Sequence, residues 1–191
     1  MDYKEENIKK TEELILERMV TGNLAKKRHE NIANLVSKYA NKNGSIFEIG
    51  VREGFLFDYL KEAGFNDLYG IDISPLAIKI LHERGYKGHV ADAQEGFNIY
   101  GKWDTIIISH CLEHVPEPNK VINNIYEALK INGILYIEVP IQPKEKVPTK
   151  WSHYYCFESY NELLSFFNEK WNLIYNEKKP KNFKCIFEKV S

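Results

Sequence analysis

The chain has 191 residues, with 26 Lys and Arg against 27 Asp and Glu, a formal net charge of -1, and a 43% hydrophobic composition. That is enough polypeptide for one well-packed domain and too little for two ordinary ones, and the balanced charge gives no global pull toward nucleic acid. Cys111, Cys156 and Cys185 are odd in number, widely spaced and free of any C-x-x-C pair, which argues against a disulfide framework or a cysteine zinc site and predicts a reducing, cytoplasmic setting. The polar start Met1-Asp2-Tyr3-Lys4-Glu5-Glu6 lacks an apolar signal core, and no apolar run approaches the roughly 18 residues needed to cross a bilayer, so neither secretion nor membrane insertion is expected.

From Glu5 to Ala40 the pattern is helical, with Ile32, Leu35, Val36 and Tyr39 on one face, and Asn41 to Gly44 ends it. Short apolar runs then alternate with amphipathic segments. Ser45–Ile49, Leu68–Ile71, His89–Val90, Thr105–Ser109 and Ile134–Val139 read as strands. Pro75–Glu83, capped by Ser74, and Asn119–Lys130 are the clearest helices between them. Such alternation implies a parallel sheet with helices on both faces, and the consecutive apolar residues of Thr105–Ile108 and Ile134–Ile137 suit strands buried on both sides. After Pro140 a Pro- and Lys-containing loop leads to a helix around Glu158–Asn168. Trp171–Glu177 and Phe183–Val190 close the chain as an antiparallel hairpin. We read residues 1–191 as one domain: an N-terminal helical segment (1–44), a core (45–140) and a loop, helix and hairpin (141–191).

The stretch Ser45-Ile46-Phe47-Glu48-Ile49-Gly50-Val51-Arg52-Glu53-Gly54 runs from an apolar strand into a glycine-bearing turn that opens a helix. In an open α/β sheet a ligand sits beyond the carboxyl ends of the strands, where glycine lets it approach the backbone. A dinucleotide fingerprint is disfavoured, because Arg52 and Phe55 stand where its second and third glycines belong. The stretch resembles motif I of the class I S-adenosylmethionine-dependent methyltransferases, E/D-x-G-x-G-x-G, at Glu48, Gly50 and Gly54. Arg52 replaces the middle glycine and must point away from the methionine moiety. Further matches follow in order over Asn43 to Val139. Asp72 ends the second strand eighteen residues after Gly54, where an acid chelates ribose hydroxyls. Asp92, in Val90-Ala91-Asp92-Ala93-Gln94, resembles the acid that holds the adenine amino group. Lys102 to His110 matches the fourth strand, and Asn132 to Ile137 the fifth.

The resemblance implies a Rossmann-like class I methyltransferase fold with a mostly parallel sheet and a C-terminal antiparallel hairpin. It implies S-adenosyl-L-methionine as cofactor and S-adenosyl-L-homocysteine as product. Its carried-over cofactor residues are Glu48, Gly50, Gly54, Asp72, Ile73, Asp92, Ala93 and Ser109. The Leu112-Glu113-His114 run after the fourth strand is similar to that of small enzymes related to ubiquinone-biosynthesis methyltransferases.

His110-Cys111-Leu112-Glu113-His114 also matches the H-x-x-E-H zinc-protease pattern, but a strand enters this segment and Pro116 and Pro118 leave it, so the necessary helix cannot form. Small-RNA 2'-O-methyltransferases bind a metal through E-x-x-E-H and a later histidine. Glu113 and His114 match that pattern, His110 replaces the first acid, and His153 supplies the later ligand. We assign no metal on this basis and keep RNA methylation as an alternative. The favoured acceptor is a small molecule methylated on O or N, with His114 or His153 as base, though His114 could equally hold the loop by hydrogen bonding. His110 and Glu113, with Trp151 and Tyr154 from an aromatic run that could otherwise simply pack, are the expected acceptor contacts. No membrane or nucleic-acid partner is expected, and the assembly is read as a monomer or homodimer. Arg52 keeps open a cofactor-binding module without activity.

Overall fold

The computed structural model describes residues 2–21, 26–97, 101–144, 148 and 152–191. The elements in chain order are α1 (Tyr3–Thr21), α2 (Lys26–Val36), β1 (Ile46–Ile49), α3 (Phe55–Glu62), β2 (Leu68–Asp72), α4 (Pro75–Glu83), β3 (Lys87–Val90), β4 (Trp103–Ser109), α5 (Pro118–Ala128), β5 (Leu129–Pro140), α6 (Tyr160–Leu164), β6 (Trp171–Lys178) and β7 (Asn182–Lys189). They build a seven-stranded sheet of order β3-β2-β1-β4-β5-β7-β6. Strands β1 to β5 pair in parallel, and β7 joins β5 and β6 antiparallel. This is the Rossmann-like class I methyltransferase arrangement with a closing hairpin. The chain winds outward in one direction through β2 and β3 and in the other through β4 and β5, so the strand order reverses beside β1. That switch point opens a crevice at the carboxyl ends of β1 and β4.

Consecutive apolar residues in the central strands serve two cores. Phe47, Ile49, Ile106, Ile108, Leu135 and Ile137 pack with α5 through Val121, Ile122 and Ile125. The alternate positions Ile46, Ile107, Ile134 and Tyr136 pack with α2, α3 and α4 through Ile32, Val36, Leu56, Phe57, Leu60, Ile78 and Leu81. Each such side chain contributes about 1.5–3 kcal/mol by leaving water, which is what fixes the strand register and clamps the helices. The same two-residue period puts Glu48 and Asp72 on the face shared with α2 to α4, so both carboxyls are buried at the switch point.

Three differences from the sequence reading stand out beside shifts of one or two residues at other element ends. The N-terminal helical stretch forms two helices, α1 and α2, with residues 22–25 outside those described. Strand β5 starts at Leu129, directly at the end of α5, because Trp103 pairs with Leu129 before an irregularity carries the register to Thr105 and Ile134. Helix α6 is a short α-helix whose continuation tightens: Phe166 and Phe167 bond back to Leu163 and Leu164, and the Ser165 hydroxyl donates to the Glu162 carbonyl at 2.7 Å. A serine hydroxyl competing for a backbone carbonyl is a common way to end a helix.

Gly54 shows how closely α3 and α4 approach. Its φ is +74°, and a Cβ there would lie 2.4 Å from Leu81 Cδ1. Gly54→Ala should therefore lower stability by about 2–4 kcal/mol through left-handed strain and overpacking, read as a fall in the urea midpoint. An unchanged midpoint would show that the turn relaxes.

Candidate active site

Strand β1 runs out at Ile49 into a turn that can be formed only with unusual backbone. Gly50 has φ +77°, and a Cβ there would lie 2.9 Å from Cys111 Sγ. The Gly50 and Val51 N–H groups both donate to the Ile71 carbonyl, at 2.9 and 3.1 Å. Arg52 follows with φ 49°, a conformation rarely adopted outside glycine. Its N–H donates to Asp72 Oδ2 at 2.9 Å, while Ser74 N–H donates to Asp72 Oδ1 at 2.9 Å. Burial raises the Asp72 carboxyl above its ordinary value, and these two backbone donors oppose the rise. Two oxygens so held retain lone pairs for a ligand's hydroxyls.

The crevice beyond these strand ends is lined by Gly50, Asp72, Ile73, Asp92 and Ala93, among others. Six of the eight residues carried over for the cofactor are thus close together, counting Gly54 in the same turn. The Asp92 carboxylate accepts from Gln94 N–H at 2.9 Å, and also from the Tyr3 hydroxyl of α1. Lys4 lies 3.2 Å from Asp92. Glu48 and Ser109 fall instead in an adjoining cleft, with Arg18, Arg28 and Arg52. The Ser109 hydroxyl donates to Glu138 Oε2 at 3.1 Å. Burial pushes the Glu48 carboxyl well above its usual value, and its Oε2 has no hydrogen-bond partner among the described residues. An orphaned buried carboxyl beside this crevice fits the α-ammonium of an amino-acid tail.

At the end of β4, His110 adopts φ 49° and lies between two acids, Nδ1 3.3 Å from Glu113 Oε1 and Nε2 3.7 Å from Glu138 Oε1. Burial alone would lower its pKa, but the two carboxylates raise it to about 9. Glu138 is also buried, yet His110, Lys184 and the Tyr136 hydroxyl hold it down to about 2.

One turn later, Glu113 is 1% exposed, with Oε2 unpartnered among the described residues. His114 Nδ1 lies 3.0 Å from the Ser152 carbonyl and His153 Nδ1 lies 2.8 Å from Gln142 Oε1. Carbonyl oxygens only accept, so each Nδ1 carries a proton. The Gln142 amide is oriented by donating to Cys156 Sγ at 3.0 Å. The two imidazoles meet edge to face, with centroids 4.9 Å apart. His110, Glu113, His114 and His153 all line an open cleft of about 640 Å³. That cleft meets the crevice at Thr11, Arg52, His110 and His114.

Tyr154 is placed differently from the expectation of an acceptor contact. Its hydroxyl donates to Glu6 Oε2 at 2.6 Å, so it fastens α1. Trp151 lies outside the described residues. Sequence reasoning missed Tyr3, Asn7, Thr11 and Arg18, which bring α1 over the crevice and clefts. Their spacing of four, four and then seven residues puts all four on one helical face, and that polar stripe was the available signal.

Residues 24–171 match a family described as a methyltransferase domain. The chain belongs to this family. The chain is 25% identical over 118 residues to the ribosomal protein L11 methyltransferase of Macrococcus caseolyticus (strain JCSC5402), an alignment covering 59% of this chain and 37% of that protein. It spans well under half the length of that relative. Among solved structures it resembles magnesium protoporphyrin IX methyltransferase from Synechocystis PCC 6803 with bound SAM, at 16% identity and TM-score 0.67, covering 87% of this chain and 80% of the other. It also resembles the N-methyltransferase NodS from Bradyrhizobium japonicum WM9, at 17% identity and TM-score 0.67, covering 86% and 96%. These likenesses are of fold, and the cofactor of the class I fold is S-adenosylmethionine.

The buried His110 pair gives the methyltransferase a pH signature. A raised imidazole contributes in full below its unfolded value of 6.5, and that contribution is lost as pH rises through about 9. The depressed Glu138 contributes above 4.5 and fails only as pH falls through about 2. Thermal unfolding should therefore show the wild type losing stability between pH 6.5 and 9, with His110→Gln lacking that slope; parallel slopes would contradict the pairing.

Proposed function

We propose that this chain is a single-domain enzyme that moves a methyl group from S-adenosylmethionine to an oxygen or nitrogen of a small molecule. The observation that carries the reading is the open cleft joined to the cofactor crevice, with two imidazoles and a buried carboxylate beside the junction. In this reading Asp72 accepts from the ribose hydroxyls and Asp92 from the adenine amino group, with Ile73 and Ala93 against the base. Gly50 and Gly54 admit the ligand close to the backbone, and Glu48, with Ser109 beside it, receives the ammonium. The bound cofactor supplies a methyl group on a positively charged sulfur, already an activated leaving group. What remains for the protein is alignment, exclusion of water and a place for one proton. His114, its Nδ1 proton committed to Ser152, offers Nε2 as base, and His153 stands beside it as the alternate. His110 and Glu113 contact the acceptor from the cleft wall.

Leu112-Glu113-His114 supports a relation to ubiquinone-biosynthesis enzymes. A cytoplasmic setting is supported by three free cysteines, and among the described residues no helix is long and apolar enough to cross a membrane. A monomer or homodimer completes the proposal.

A second reading, RNA 2'-O-methylation with a metal, is favoured by one observation. Glu113, His114 and His153 each bring a ligand atom within 4.8 Å of the others. Both histidines have Nδ1 on a carbonyl, the outer contact that fixes a ligand imidazole. Two imidazoles and one carboxylate suit a softer ion than magnesium.

Calorimetric titration with S-adenosylhomocysteine tests the cofactor assignment. Asp72→Ala should weaken it about 100-fold or more in protein shown to be folded by circular dichroism, since two charged hydrogen bonds of about 1.5–3 kcal/mol each are lost, and should also lower the urea midpoint because the Arg52 and Ser74 N–H groups lose their acceptor. No binding by folded wild type would end the reading. His114→Ala should lower turnover more than that affinity, and an unaltered rate would leave His114 a scaffold residue. Methyl transfer from labelled cofactor into a metabolite pool is the expected outcome. Chelator-sensitive labelling of RNA would transfer the case to the second reading.

A further inference from the structure

The two clefts share three guanidinium groups. Arg18 from α1, Arg28 from α2 and Arg52 from the β1 turn line both. Only Arg18 has an ion-pair partner among the described residues, Glu53 at 3.2 Å. Arg28 Nε is buried without a hydrogen bond, and neither Arg28 nor Arg52 has a side-chain ion pair among the described residues. The three lie close enough for Arg52 to lower the pKa of both Arg18 and Arg28, after burial as the larger cause. Of the acids nearby, Glu138 attracts Arg28 but is shared by His110 and Lys184, Glu13 is spent on Lys10 at 3.1 Å, Glu113 on His110, and Glu17 is exposed at the rim. Burial favours the neutral form of Glu48.

Unpaired guanidiniums half out of water are costly, and a protein keeps them together where an anion binds. The cofactor cannot be that whole anion. Its carboxylate can satisfy one guanidinium, but its ammonium and sulfonium leave it with one net positive charge. With Glu48 ionised against the ammonium, the loaded site still carries the positive charges of one guanidinium and of the sulfonium. A second anion is needed, and the open cleft beside Arg28 and Arg52 is where a methyl acceptor would enter.

We propose that the methyl acceptor is a small anion whose carboxylate or phosphate monoester is gripped by Arg28 and Arg52 in the cleft. This rests on the cofactor reading above and adds the acceptor's chemical class. The flat, forked guanidinium suits either group, each presenting two oxygens to parallel N–H donors. Charge then orders the encounter. The anion strengthens binding of the charged cofactor more than that of neutral S-adenosylhomocysteine, so the acceptor favours the loaded enzyme over the spent one.

The test is calorimetry at constant ionic strength, with chloride exchanged for inorganic phosphate or for acetate. S-Adenosylmethionine and S-adenosylhomocysteine are titrated into wild type, Arg28→Met, Arg28→Lys and the surface control Lys79→Met. Phosphate or acetate should tighten S-adenosylmethionine about fivefold or more, a coupling of ordinary size, and S-adenosylhomocysteine less. Whichever anion couples more strongly identifies the acceptor's group. Arg28→Met should abolish the coupling while leaving S-adenosylhomocysteine affinity within about twofold, and Arg28→Lys should keep part of it. Lys79→Met should behave as wild type. Anion-independent binding by folded wild type overturns the proposal. So does a tenfold loss of S-adenosylhomocysteine affinity in Arg28→Met with coupling intact, which would give Arg28 to the cofactor's carboxylate. If S-adenosylhomocysteine does not bind at all, the cofactor reading fails on its own, and phosphate titrated into the free wild type and Arg28→Met decides whether the anion site exists.

Discussion

The structure depends on one buried carboxylate. Asp72 ends β2 out of contact with bulk water, and its two oxygens are held by the N–H groups of Arg52 and Ser74, one from the turn after β1 and one from the start of α4. Ionising an acid in that position is costly unless such donors are present, and once present they dictate backbone on both sides. The β1 turn must bring the Arg52 N–H inward, and it does so by accepting a left-handed residue. Ser74, fixed by the same acid, caps α4 through Ala77 and reaches Glu12 on α1 through the same hydroxyl. A single desolvated group thus sets the relation of β1, β2, α4 and the covering helix.

A second polar cluster performs the same service on the other side of the crevice. His110 bridges Glu113 and Glu138, and Glu138 is also reached by Ser109, Tyr136, Asn182 and Lys184. The C-terminal hairpin is therefore more than a cover for the sheet edge, since β7 supplies a hydrogen-bond donor and a cation to the acid near the end of β5. The left-handed backbone at His110, like that at Arg52, places strain beside the chemistry, where surrounding contacts hold it.

The fold was legible because its signals are local: apolar strands, alternating helices and a capped Pro75 are all written in adjacent residues. The meeting of Gly50, Asp72 and Asp92 at one crevice was legible for a related reason. Each strand of an open sheet delivers its last residue to the same edge, so order along the chain becomes proximity in space. Boundaries were harder where pairing decided them, as at Leu129, which becomes strand because Trp103 is there to receive it. Tyr154 was read as a cleft residue because an aromatic run says nothing of direction, and its partner Glu6 lies 148 positions away. Arg18, Arg28 and Arg52 come from three separate elements and carry no common spacing. Their convergence belongs to the tertiary structure alone.

Helix α1 covers the crevice almost entirely through polar contacts, with Ile15 its one fully buried apolar side chain. Hydrogen bonds such as those from Tyr3 and Asn7, or to Glu6 and Glu12, can be exchanged for bonds to water at a net cost of about 0.5–1.5 kcal/mol each. The cover over the crevice is thus held by bonds that water can replace one at a time, whereas the sheet beneath it is held by apolar burial that water cannot replace.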